Sequence, residues 1–316
     1  MDKTGKNFKI WGTRFSILGD TIMSLVILNA LEKRFPGSYK YFHIAKRCAH
    51  AAPLYFNHPL IDRIVISDYD EEMGTNDAAI AKTCDIILNT KPPFHSRQDW
   101  PNSNCIYRET FFMSGLPLEW YDTLSDEEKR PKLAKWFNVE RQPAKTIALW
   151  PCAGYGNENK RNPSREWYVK LINKLHEEGY NTIQFGHPKD YNLFNAINGQ
   201  SDAPSNIYTF SDTIQKFQTD SWGETFKILN HLPFFDQIKM TLGCDLVIST
   251  DSGSGLIFGA YEMPQISLLT NHFPNHTKNL TAFAPNNPNN TNFIGIGSPD
   301  NIEIFKVLQK VKELCP

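Results

Sequence analysis

The sequence predicts an α/β protein of two halves, each a parallel sheet with crossover helices. Three observations carry that expectation. Short apolar runs of strand length alternate with segments whose apolar residues recur about every 3.6 positions. The alternation stops in a highly charged stretch at residues 125–145, which includes Asp126-Glu127-Glu128-Lys129-Arg130-Pro131, and then starts afresh. The chain has 316 residues, which suits two domains at roughly 100–200 residues each. The expected division is 1–140 and 141–316, with the last helix free to pack back on the first domain.

Taken in order, residues 8–11 read as a short buried strand, followed by a turn that holds Gly19-Asp20. A helix over 21–35 comes next, with Ile22, Leu25, Val26, Leu28 and Leu31 on one face and Pro36-Gly37 as its stop. Strands at 39–44, 61–66 and 85–89 follow, the first two separated by a helix-like stretch that ends at Tyr55. In the second half, strands fall at 146–150, 181–185, 245–249 and 265–269. Helices fall at 164–178, 233–242, 255–261 and, strongly amphipathic, 301–314. The Asn- and Pro-rich residues 271–292 read as a long loop, a feature more often functional than incidental.

Composition narrows the function classes. Hydrophobic residues make up 41% and charged residues 21%, the balance of a globular protein rather than a disordered or fibrous one. Lys plus Arg total 33 against 34 for Asp plus Glu, a net charge of −1. Nucleic acid is therefore disfavoured as a partner, although a local basic patch stays open. The apolar run at 22–31 is about half the roughly 20 residues that span a bilayer, and residues 1–6 carry no signal-peptide core. A cytoplasmic protein without a transmembrane segment is expected. The six cysteines contain no C-x-x-C pair, and the nine histidines show no metal-ligand spacing, so no metal and no bound cofactor are expected.

Three segments sit where an open parallel sheet binds ligands, beyond the carboxyl ends of strands. Asp20, in Leu18-Gly19-Asp20, either faces that region or caps the helix that follows. The run from Pro151 to Pro163 joins Gly154, Tyr155 and Gly156 to Lys160 and Arg161 just ahead of a helix. Free amides, a helix N-terminus and a point cation suit a phosphate, although a solvated loop has the same composition. It lacks the G-K-[ST] ending of a P-loop. Asp251-Ser252-Gly253 leaves a strand and opens a helix. Ser252 and Gly253 suit an anion and Asp251 a sugar or ribose hydroxyl; a purely structural turn is the alternative. His187, after strand 181–185, stands at one more strand end. No G-x-S-x-G elbow points to a serine hydrolase.

In this order the segments resemble glycosyltransferase family 9, the heptosyltransferases of lipopolysaccharide core synthesis. The likeness rests on Leu18-Gly19-Asp20, the stop at Phe35-Pro36-Gly37, Asn57-His58-Pro59-Leu60-Ile61-Asp62 and Gly115-Leu116-Pro117. It continues at Pro151-Cys152-Ala153, Lys160-Arg161-Asn162-Pro163, Asp251-Ser252-Gly253 and the strand 264–268. The resemblance implies a GT-B fold, two Rossmann-like parallel-sheet domains facing a central cleft, with a nucleotide-sugar donor on the second and an acceptor on the first. It implies inverting transfer with Asp20 as general base. Gly154, Tyr155, Gly156, Lys160, Arg161, His187, Asp251, Ser252 and Gly253 would hold the donor without a metal.

The resemblance further implies a lipopolysaccharide or other glycan acceptor, at the inner face of the membrane with peripheral contact. Two positions depart from the family: Leu256 stands where its Asp-Ser/Thr-Gly-x-x-His motif has His, and Asn162 where Lys-Arg-Trp-Pro has Trp. Heptose is therefore not assumed as the donor sugar. Transfer to a modified DNA base or a protein, a sugar-nucleotide epimerase and a non-catalytic sugar-nucleotide binder are the alternatives.

Overall fold

A short apolar strand buried on both faces must pair with like strands and be covered by helices above and below. Both halves of the chain meet that demand in the same way. The computed structural model describes residues 8–12, 18–67, 75–88, 106–153, 161–186, 226–228, 232–270 and 284–316. The chain divides into two units, Met1–Trp136 and Phe137–Pro316.

In the first unit, β1 (Lys9–Trp11), β2 (Tyr39–Ile44), β3 (Arg63–Ile66) and β4 (Ile86–Ile87) pair in parallel in the order β3-β2-β1-β4. The single helix expected over 21–35 is two, α1 (Leu18–Met23) and α2 (Leu25–Arg34). Ser24 lies at the break, where its hydroxyl donates to the Thr21 carbonyl at 2.7 Å, a local bond that competes with helix continuation. The expected turn at Gly19-Asp20 is thereby corrected: the helix already starts at Leu18, and Asp20 is its third residue. Six of the ten residues of α2 are buried, among them Leu25, Val26, Leu28 and Leu31. The helix-like stretch after β2 is a 3-10 helix, Lys46–Tyr55, with Pro53 inside it. Helices α3 (Thr75–Ala81), α4 (Ile106–Met113) and α5 (Leu118–Asp122) complete the described part, with α2 packed on α4 and α5.

In the second unit, β5 (Thr146–Trp150), β6 (Asn181–Gln184), β7 (Phe226–Ile228), β8 (Leu246–Thr250), β9 (Gln265–Thr270) and β10 (Asn290–Gly295) form one parallel sheet. Its order is β10-β9-β8-β5-β6-β7. Helices α6 (Arg165–Glu177), α7 (Phe234–Leu242), α8 (Gly253–Ala260) and α9 (Ile304–Leu314) accompany it. One core joins Ile147, Leu149, Leu246, Ile248, Ile266 and Leu268 of the sheet to Leu171, Ile172 and Leu175 of α6 and Val307, Leu308 and Val311 of α9. The apolar stripe of the last helix is thus spent inside the second unit.

The alternate side chains of the strands face the other way. There Trp150 stacks on Phe185 with centroids 5.7 Å apart, and packs on Phe234 of α7 and Phe258 of α8. Two strands were not expected. The loop expected over 271–292 is corrected at its end, where residues 290–292 open the edge strand β10 (Asn290–Gly295), and β7 has no strand in the sequence reading. An edge strand needs only one buried flank, so its composition need not be apolar.

Candidate functional site

Numbered within each unit, the strand orders are 3-2-1-4 and 3-2-1-4-5-6. In sheets of this order the chain turns outward in opposite directions from the first and fourth strands, and a crevice opens beyond their carboxyl ends. In the second unit those strands are β5 and β8, paired from Ile147↔Leu246 to Trp150↔Ser249. The Pro151-Cys152-Ala153 and Asp251-Ser252-Gly253 segments, 98 positions apart in sequence, therefore leave the sheet from neighbouring strands. In the first unit the corresponding strand is β1, and α1 with Asp20 is the next described element.

The exit of β5 is clasped at its base. The amide of Ala153 donates to the Asn162 side-chain oxygen at 2.7 Å, which closes the ends of the intervening loop on each other. Ser164 then caps α6, its hydroxyl accepting from the Trp167 amide at 3.2 Å, and its own amide donates to Asp300. Asn162 thus ties the chain that leaves β5 to the residues that enter α6.

The exit of β8 is an elbow. Asp251 is partly buried, and loss of solvent pushes its carboxyl up to about 6, against the pull of the Arg161 guanidinium. Ser252 sits at the N-cap of α8 with φ −150 and makes no capping bond; its hydroxyl lies 2.6 Å from that of Ser254. The first-turn amides of α8 therefore have no side-chain partner from the cap. Gly255 lets the helix lie close on the strand: a Cβ there would stand 2.9 Å from the Ser249 hydroxyl and 3.3 Å from the Thr250 carbonyl. Gln265 of β9, fully buried, donates from its amide nitrogen to the Ser249 hydroxyl at 3.1 Å and the Gly255 carbonyl at 3.0 Å.

At the end of β6 a second buried glutamine does similar work. The Gly186 amide donates to the Gln237 side-chain oxygen at 2.8 Å, while the Gln237 amide nitrogen donates to the Leu232 carbonyl at 2.8 Å.

Of the residues expected to form the site, the structure brings Arg161, Asp251, Ser252 and Gly253 to one end of the second sheet. Gly154, Tyr155, Gly156, Lys160 and His187 lie outside the described residues, and so does the side chain of Asp20. The side-chain hydrogen bonds of Asn162, Gln237 and Gln265 that tie the strand ends were missed. Asn162 had a signal, as a departure from the family pattern; the two glutamines had none, because burial of a polar side chain cannot be read from spacing.

The sequence pattern of glycosyltransferase family 9 (heptosyltransferase) matches residues 110–303. That stretch is well over half of the chain and contains both loops of the site. The chain belongs to glycosyltransferase family 9. It is a glycosyltransferase, with the α/β architecture of the GT-B fold in each unit.

Solved structures agree on the fold. It is similar to E. coli ADP-heptose lps heptosyltransferase II at 16% identity and TM-score 0.65, over 98% of each chain. A family 9 glycosyl transferase from Veillonella parvula matches at 14% identity and TM-score 0.64, again over 98% of each. E. coli heptosyltransferase WaaC with ADP matches at 11% and 0.61, over 97% of this chain and 100% of that one. No curated protein matches the chain by sequence. Among the described residues, no helix of this glycosyltransferase is long and apolar enough to cross a membrane.

Proposed function

We propose that this family 9 member is an inverting glycosyltransferase that moves a sugar from a nucleoside-diphosphate donor to an acceptor hydroxyl. The observation that supports the reading best is the pairing of β5 with β8. It sets the Arg161 cation at the same end of the sheet as a helix N-terminus and the Asp251 carboxylate, three parts that suit a sugar diphosphate. Lys160, Arg161 and the amides around Gly154, Tyr155, Gly156, Ser252 and Gly253 would meet the charge of the diphosphate, and Asp251 a donor hydroxyl. His187, the next residue in sequence after Gly186, would add a polar side chain to the donor site. With cations and amides in that role, the reaction needs no metal.

The acceptor oxygen attacks the anomeric carbon opposite the leaving group. As that bond forms, the bond from the anomeric carbon to the diphosphate oxygen breaks, the nucleoside diphosphate departs, and Asp20 receives the acceptor's proton. Inversion follows from one displacement on the far face. A lipopolysaccharide or other glycan is the proposed acceptor, reached from the cytoplasmic side of the membrane. An ADP-sugar is the first donor to test, because matched solved structures are of WaaC with ADP and with an ADP-2-deoxy-2-fluoro heptose. Leu256, in the first half of α8 and 8% exposed, offers no polar group at the position of the family's His, so the sugar need not be heptose.

A thermal-shift screen against nucleoside diphosphates and their sugars tests the donor half, since a ligand that binds only the folded chain raises its apparent stability. A shift with one nucleotide, lost in Lys160→Ala, is the expected result; no shift with any would sink the nucleoside-diphosphate donor reading in favour of a different donor class. Asp20→Asn tests the base. It should lower transfer by at least about a hundredfold with nucleotide affinity unchanged, and full transfer in that variant would remove Asp20 from the mechanism.

A further inference from the structure

We infer that Gln265 is a positioning residue for the donor site, holding the β8–α8 elbow in the one geometry that presents Asp251 and the first-turn amides of α8 together. The inference rests on the donor reading above and adds to it a residue two elements away from the ligand. Gln265 is the first residue of β9, pairing with Val247 of β8, so its side chain starts at the amino end of the sheet rather than at the binding end. From there it spans β8 to α8 and uses its amide nitrogen twice, on the Ser249 hydroxyl at 3.1 Å and on the Gly255 carbonyl at 3.0 Å.

Both acceptors flank the elbow. Ser249 is two residues before Asp251, and Gly255 is the third residue of α8. The clamp thus ties the last strand residues to the first helical turn across the very segment that turns toward the ligand. Gly255 completes it, because no Cβ holds the helix away from Ser249.

A further observation argues that the amide is there for its donors. The Gln265 side-chain oxygen is buried and has no hydrogen-bond partner among the described residues. Leaving a buried acceptor unmade is unfavourable, and an aliphatic side chain of the same length would avoid it. The side chain thus has one end unsatisfied and the other end fully used. Helix amides and a carboxylate recognise a diphosphate sugar only at the correct distance and angle, so a helix that slides on its strand loses affinity without losing its fold.

The test compares Gln265→Met, close in shape and without donors, with the unaltered protein. Two readouts are taken: ADP and UDP affinity by calorimetry, and amide hydrogen exchange of the segment around 251–256 without ligand. The expected result is about three- to tenfold weaker binding of whichever nucleotide the wild type binds, from loss of the two bonds, with faster exchange confined to the elbow. Unchanged exchange at the elbow, or unchanged nucleotide affinity with only a lowered melting temperature, would overturn the inference and leave Gln265 a core residue. If the wild type binds neither nucleotide, the donor reading is what fails, and the exchange comparison alone decides whether the clamp exists. Should Gln265→Met not fold, Ser249→Ala removes one of the two bonds at a smaller perturbation and is expected to show the same pattern at lower amplitude.

Discussion

At the scale of single residues, Asp251 carries the sharpest consequence. Its carboxyl sits at about 6 because burial disfavours the charge, with Arg161 only partly offsetting it. The folded state therefore holds this proton more tightly than the unfolded chain, where the value is near 3.8. The stabilising contribution is complete below that lower value and is lost as pH rises through about 6. Asp251→Asn should accordingly be more stable than wild type at pH 7 to 8, on the order of 2 kcal/mol, with the difference gone near pH 4. Urea titrations at the two pH values check this, and an equal difference at both would contradict it. Gly255 gives an opposite case. Ala is the better helix former, but its Cβ would press on the Ser249 hydroxyl at 2.9 Å. Sterics should win over propensity, and Gly255→Ala should lose about 1–2 kcal/mol together with nucleotide affinity.

At the scale of elements, the site depends on how helices are started and strands are tied. Helix α6 begins at Ser164, whose hydroxyl and amide are both engaged, the one by Trp167 and the other by Asp300. Ser164→Ala removes the cap alone, and a loss of about 1 kcal/mol is expected, seen as a melting temperature lower by about 2–4 °C. The start of β8 is fixed to β5 by Asp245, which accepts from the Thr146 amide at 3.1 Å and pairs with Arg141. Both strand exits of the proposed donor site are thus held from beneath. The helix that stops at Pro36-Gly37 was legible from its apolar stripe and stop signal, whereas α3, α4 and α5 were not expected. The division at Ser24 was not legible, because it comes from one hydroxyl bonding back to a carbonyl.

At the scale of the whole molecule, each unit has its own parallel sheet, and the second has a continuous core built from its sheet, α6 and α9. Two such units need not unfold in one step. Under the donor reading, nucleotide should protect only the second. Hydrogen exchange followed during urea unfolding should show residues 137–316 stabilised by the nucleotide and residues 1–136 unchanged. Equal protection of both would place part of the donor site in the first unit.

The sequence by itself determined the α/β class, the restart after the charged stretch and the family. Those features are local: they follow from apolar periodicity, from Gly and Pro punctuation and from short ordered motifs. Tertiary structure decided the strand order, which strands are edges, and which loops become neighbours. Arg161 and Asp251 lie 90 positions apart, and only the parallel pairing of β5 with β8 brings their loops together. The clamps at Asn162, Gln237 and Gln265 are of the same kind. A hydrogen bond between residues distant in sequence leaves no periodic trace, so it becomes visible only once the chain has folded and buried the polar groups that it joins.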